Sequence, residues 1–177
     1  AYNYVGGLFG SIGGYDNSHY INADTISVTG ITITNNSAAV CNYTGGIFGY
    51  LGDGGNSNEV SIIANSTSAA QVLGCNYTGS FGGAMSLSTK VQSSTASGTV
   101  NGLSYTGGFI GAADYNSSIT GSNYTGTAVT GTSTVGGYAG RVGYHSSSNS
   151  TALISNCQVT SAIALTSAGA SVGGFVG

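Results

Sequence analysis

The densest run of hard oxygen donors in the chain is "DGGNSNE" (53–59), where Asp53, Asn56, Asn58 and Glu59 are close enough in sequence to share one cation. Oxygen donors of this kind suit calcium. Their spacing follows neither the EF-hand nor the glycine-rich calcium nonapeptide. Asp, Asn and Gly are also the residues of tight turns, where short polar side chains bond their own backbone. Asp16 in "GYDNSHY", Asp114 in "ADYNSS" and His145 in "GYHSSSNS" occupy similar places, so the preferred reading is a column of turns, with calcium as the alternative. Catalysis finds less to work with. His19 and His145 lie in different segments with no nucleophile motif beside either. A glycosidase needs two carboxylates facing across a site, and the five acidic residues read instead as a surface row. The sequence therefore predicts neither an enzyme nor a bound cofactor.

Two further residue types carry chemistry. Cys41 and Cys75 each stand two residues before the tyrosine of "CNYTG". On adjacent strands their Cα atoms would lie near the separation a disulfide accepts; small buried apolar residues are the other reading, and Cys157 is left over. Seven asparagines start N-x-S/T: Asn35, Asn42, Asn65, Asn76, Asn116, Asn123 and Asn149. They are candidate N-glycosylation sites if the source glycosylates, and plain turn residues otherwise.

What must position these residues is a repeat. The string "YTGGIFG" (43–49) recurs as "YVGGLFG" (4–10), "YTGSFGG" (77–83), "YTGGFIG" (105–111), "TVGGYAG" (134–140) and "SVGGFVG" (171–177). Its glycines resemble a phosphate loop, but the lysine and following helix of such a loop are missing. Between the copies, segments such as "TISVTGITIT" and "EVSIIA" alternate apolar and polar residues with period two and read as strands. No stretch shows a helical stripe. A unit of some 30 residues cannot bury an apolar face alone, so successive units must stack.

These observations predict an all-β fold: a parallel β-helix, or β-solenoid, of about five to six rungs, each 28–39 residues long, forming a single domain over 1–177. Leu8, Ile47, Phe81, Phe109, Tyr138 and Phe175 are expected to form one stack. Phe9, Phe48, Ile110, Ala139 and Val176 follow in the next column, on the opposite face of a regular strand. Gly6, Gly7, Gly45, Gly46, Gly107, Gly108, Gly136, Gly137, Gly173 and Gly174 are expected at rung corners, where either a positive φ or close backbone approach excludes a Cβ.

"VGGLFG", "VGGYAG" and above all "ISNCQVTSAIALTSAGASVGGFVG" (154–177) resemble the GLUG repeat, whose family occurs in secreted and surface proteins, including bacterial adhesins and peptidase stalks. The resemblance covers nearly the whole chain and implies a β-helical scaffold outside the cell. It brings no catalytic residue, and "YTG" departs from the valine usual before the glycines.

Composition narrows the partners. Charged residues make up 4% of the chain, proline is absent and glycine numbers 32. Seven charged side chains with net charge −3 leave no basic patch for nucleic acid. No apolar run approaches the roughly 18–20 residues that span a bilayer, so membrane insertion is not expected. The absence of a signal-peptide pattern leaves a mature form, a fragment or a cytosolic chain. Without a helical or charged cap, the ends read as met head to tail by other copies or as cuts in a longer repeat array.

The leading functional expectation is a structural extracellular protein, a filament subunit or the stalk of an adhesin, with itself as the main partner. A module that binds glycans or another surface protein through its tyrosines is the alternative. Ice binding, suggested by the threonines of "SVTGITIT", is weaker, because unequal rungs do not give a flat face.

Overall fold

The computed structural model describes residues 3–13, 21–36, 41–52, 60–143, 151–169 and 171–177. Every described element is a short strand, and all pairings are parallel within five sheets. Sheet 1 stacks Tyr4–Gly6, Tyr43–Gly45, Tyr77–Gly79, Tyr105–Gly107, Thr134–Gly136 and Ser171–Gly173. Sheet 2 stacks Phe9–Ile12, Phe48–Leu51, Gly82–Met85, Ile110–Ala113 and Ala139–Val142. Sheets 3, 4 and 5 begin at Asn22–Asp24, Ser27–Val28 and Thr32–Thr34 and continue through the next four rungs. The chain visits sheets 1 to 5 in order and then starts a new rung. This is a parallel β-solenoid of five rungs and the beginning of a sixth. Its register places each copy of the repeat string directly on the last, Tyr4 on Tyr43, Tyr43 on Tyr77 and Tyr77 on Tyr105.

Unequal rung lengths have a local cause. From sheet 2 to sheet 3 the chain takes four residues in the third and fourth rungs (86–89 and 114–117), but nine or ten in the first, second and fifth (13–21, 52–61 and 143–152). Another insertion, 35–42, joins sheet 5 of the first rung to sheet 1 of the second. The sheets can therefore stay in register while the loops vary.

The core is one continuous column. Phe81, Phe109 and Tyr138 are fully buried and stack, with Phe175, at ring-centroid spacings of 4.6, 5.0 and 4.7 Å. These match the roughly 4.8 Å between strands. Two expectations are corrected here. Leu8, in the outermost rung, is 51% exposed rather than part of the buried stack, because it has a neighbour on one side only. The second column does not face outward: Ile47 and Phe48 are both fully buried, as are Phe109 and Ile110. Strict alternation fails because the chain bends at Gly46–Ile47, so consecutive side chains both point into the angle.

Apart from Gly174, just after the last strand of sheet 1, where a Cβ would meet nothing within 4 Å, the corner glycines answer a steric demand, not a dihedral one. None of the ten has a positive φ. A Cβ on Gly45 would strike the Phe48 carbonyl and lie 2.5 Å from Gly82 Cα, and one on Gly108 would overlap the Tyr124 ring. Tyr124 is thereby wholly buried, its hydroxyl donating to the Gly98 carbonyl at 2.8 Å. In the third rung the corner glycine becomes Ser80, and the residue in register with Tyr124 is the small Ala96. The last glycine of the string has its own role: a Cβ on Gly83 would lie 2.6 Å from the Thr44 nitrogen, so sheets 1 and 2 meet backbone to backbone.

Positive φ angles occur at a different bend. The residue after each sheet-3 strand is left-handed in every rung: Thr25 (58°), Asn65 (47°), Ser93 (48°), Gly121 (60°) and Asn156 (53°). Asparagine and glycine accept this region readily, whereas a β-branched residue is strained there. Thr25→Asn is expected to stabilise the protein by about 0.5–1 kcal/mol, read as a higher urea midpoint; an unchanged or lower midpoint would show that Thr25 is not strained. Just inside this bend runs a serine ladder. Ser66 Oγ and Ser94 Oγ donate to the carbonyls two residues back, at 2.6 and 2.8 Å. The same hydroxyls accept the backbone N–H of Ile26 and Ser66 in the preceding rung, and Ser122 Oγ accepts from Ser94 in turn.

One buried hydroxyl is not served in this way. In the inward column Val5, Thr44, Thr78, Thr106 and Val135, Thr44 Oγ1 accepts from Asn35 at 3.1 Å and Thr78 Oγ1 donates to the Cys75 carbonyl at 3.3 Å. Thr106 Oγ1 is buried with no hydrogen-bond partner among the described residues. Valine already fills this column at Val5 and Val135. Thr106→Val should therefore raise stability by about 1 kcal/mol, and a lower melting temperature would refute the reading of an orphaned hydroxyl.

Candidate functional site

The chemistry-bearing side chains gather outside sheets 1 and 2. The first tyrosine of the repeat string points outward, half-buried, and Tyr4, Tyr43, Tyr77 and Tyr105 form a ladder. Ring centroids are 5.1, 4.9 and 5.1 Å apart and the planes lie within 14° of parallel. Register causes this, because identical residues on in-register parallel strands must stack. The ring faces along the ladder are thus occupied by one another, leaving edges and hydroxyls to the outside.

Beside the ladder runs an outward column of sheet 2: Ser11, Tyr50, Ala84, Ala112 and Arg141. Tyr50 tilts against Tyr4 and Tyr43, and its hydroxyl shares a 2.6 Å hydrogen bond with Ser86 Oγ. Two alanines follow, and across the space they leave Arg141 reaches back from the fifth rung to the third. Its guanidinium lies 4.5 Å from the Tyr105 ring centre and 5.1 Å from that of Tyr77, and Nη1 donates to the Tyr77 hydroxyl at 3.4 Å. Asp114 of the fourth rung forms an ion pair with Arg141 Nη2. Burial alone would lower the Arg141 pKa, but Asp114 and the tyrosines outweigh it and hold the cation above its ordinary value. What remains over Ala84 is a groove of about 290 Å³ bounded by Tyr43, Tyr50, Tyr77, Ser86, Asp114 and Arg141, among others.

Other residues singled out by the sequence are dispersed. Cys41 and Cys75 form a disulfide between the segments that lead into the second and third rungs, with Cα atoms 5.5 Å apart. Cys157 is a half-buried thiol below the serine ladder, 3.2 Å from the Ser155 carbonyl. The proposed calcium donors Asp53, Asn56, Asn58 and Glu59 lie outside the described residues, as do Asp16, His19, His145 and Asn149. Among the described residues no three His, Cys, Asp or Glu side chains come together.

One of the remaining sequons is corrected by burial. Asn35 is 6% exposed and its Nδ2 donates to Thr44, so a glycan there is incompatible with this fold. Asn42 and Asn76 are half-buried in an outer ladder, Asn76 Nδ2 donating to Asn42 Oδ1 at 3.1 Å. Asn65 and Asn116 are exposed in left-handed bends, the nitrogen of Asn65 donating to Asp24 at 2.9 Å. Asn123 is half-buried, its oxygen accepting the Gln158 N–H. The threonines behind the ice-binding alternative, Thr32 and Thr34, are exposed on sheet 5 but give way to Gln71 and Leu73 in the next rung, so no threonine array forms.

Sequence reasoning did not find the Tyr50, Ala84, Arg141 and Asp114 constellation. Its members come from four rungs. Tyr50, Ala84 and Arg141 hold the same place after their repeat strings, so string alignment gives their column, but it does not bring Asp114 of one rung against Arg141 of the next.

Fold and surface together define a parallel β-solenoid repeat protein with an aromatic ladder along one side. Neither protein-family models nor curated proteins nor solved structures give a match to this chain.

Proposed function

We propose that this chain is a rigid structural element of an extracellular surface, acting as a stalk segment or filament subunit and working through rung stacking rather than catalysis. The observation that carries this reading is continuity. Five sheets, a core aromatic stack and an outer tyrosine ladder run along one axis through rungs of unequal length. Six stacked strands at the usual spacing make a rod about 24 Å long, and each added rung would lengthen it by one strand spacing. The Cys41–Cys75 bridge supports an oxidising location, and the likeness of "SVGGFVG" to GLUG repeats points the same way.

Electron microscopy of the native material, with antibody against this chain, tests the reading. Label on rods or fibres standing off the cell surface is the expected result, whereas label confined to the cell interior would overturn it. Sedimentation of the purified chain separates the two forms: a concentration-dependent series of oligomers marks a filament subunit, a monomer at every concentration a stalk.

A further inference from the structure

The geometry points to a binding site for a neutral saccharide unit in the groove over Ala84, on the side of the solenoid. The groove exists because the outward column of sheet 2 changes from large to small and back: Tyr50, Ala84, Ala112, Arg141. Its volume of about 290 Å³ is at the small end of ligand pockets, enough for one or two sugar rings and too little for a folded partner. The walls combine aromatic edges from Tyr43 and Tyr77 with the Tyr50 and Ser86 hydroxyls and the Arg141–Asp114 pair. Hydroxyls, a carboxylate and a guanidinium around an apolar floor match a polyol, which presents donors and acceptors around a ring with apolar C–H faces.

Charge selects among polyols. Arg141 and Asp114 present opposite charges side by side on the groove wall, so an anionic sugar would meet the carboxylate and a cationic ligand the guanidinium. An uncharged unit can accept from Arg141 and donate to Asp114 while the ion pair stays intact. The two groups are held in place beforehand by the tyrosine ladder, on which the guanidinium lies, so little side-chain ordering remains to oppose binding. Stacking of a sugar on the ladder tyrosines is not required, since their ring faces already contact each other. This inference rests on the groove alone, and its failure would leave the stalk or filament reading untouched.

The test titrates the whole chain with trimers to hexamers of glucose, mannose, galactose and N-acetylglucosamine, with polygalacturonate as the anionic comparator. Saturation-transfer NMR and the intrinsic tyrosine fluorescence report binding; the chain has 12 tyrosines and no tryptophan. At least one neutral series should bind with a Kd on the order of 1 mM or tighter. Ala84→Phe, which fills the groove at a position whose column already holds Tyr50 and Arg141, should weaken that binding at least about tenfold. Tyr50→Phe keeps the ring, removes one hydroxyl and should weaken it by about five- to tenfold; it decides the matter if Ala84→Phe does not fold. Absence of binding to every neutral series, binding of polygalacturonate alone, or equal affinity in the parent and a folded variant would each overturn the assignment.

Discussion

Replacing Gly107 with alanine is expected to destabilise the protein by at least about 3 kcal/mol, at the upper end for overpacking. The new Cβ would overlap the Ile110 carbonyl and lie 2.6 Å from the Gly140 nitrogen and 2.7 Å from Ala139 Cα. All three are backbone atoms, two of them in the next rung, so no rotamer change relieves the clash. Relief requires the fourth and fifth rungs to separate, which breaks sheet 1 and the Phe109–Tyr138 stack together. Gly174→Ala is the matched control, because a Cβ there meets nothing within 4 Å. Urea unfolding of both variants checks the claim, and equal midpoints for the two would show that close approach is not why the corner is glycine.

Loss of the Cys41–Cys75 bridge comes next in size. The cysteines are 34 residues apart in sequence, and the chain-entropy model gives about 3–4 kcal/mol for a loop of that length. A solenoid couples each rung mainly to its neighbours, so the loss should be local. In the Cys41→Ala, Cys75→Ala double variant, amide exchange should quicken at Tyr43 and Tyr77, whose N–H groups bond the rung above. It should stay unchanged at Asn123 and Thr134. Unaltered exchange at Tyr43 and Tyr77 would mean that the hydrogen-bond ladders alone hold this end.

Much of the fold was readable beforehand because one repeat string carries its own register. Tyr43, Thr44 and Gly45 meet Tyr77, Thr78 and Gly79 strand on strand, and simple alignment of the strings gives the same pairs. The loops could vary without hiding the pattern, since most of the extra residues fall at one corner. The facing of Phe48 was misread for a physical reason: alternation describes an extended strand, and the chain bends one residue before it. The tyrosine ladder, by contrast, follows from the same string alignment, since Tyr4, Tyr43, Tyr77 and Tyr105 share the first place of the string.

The amino-acid sequence by itself determined a repeating, all-β chain that must stack to bury its apolar residues, and it determined which positions recur. Those are properties of pattern, and pattern is local. Tertiary structure alone decided that the corner glycines answer to backbone approach rather than to φ, and that Asn35 is inside. It also decided that Arg141 of one rung meets Asp114 of another beside Tyr50. Each of these depends on how far apart neighbouring rungs and facing sheets sit. That spacing is fixed by hydrogen bonding and packing across the whole stack, and no single repeat contains it.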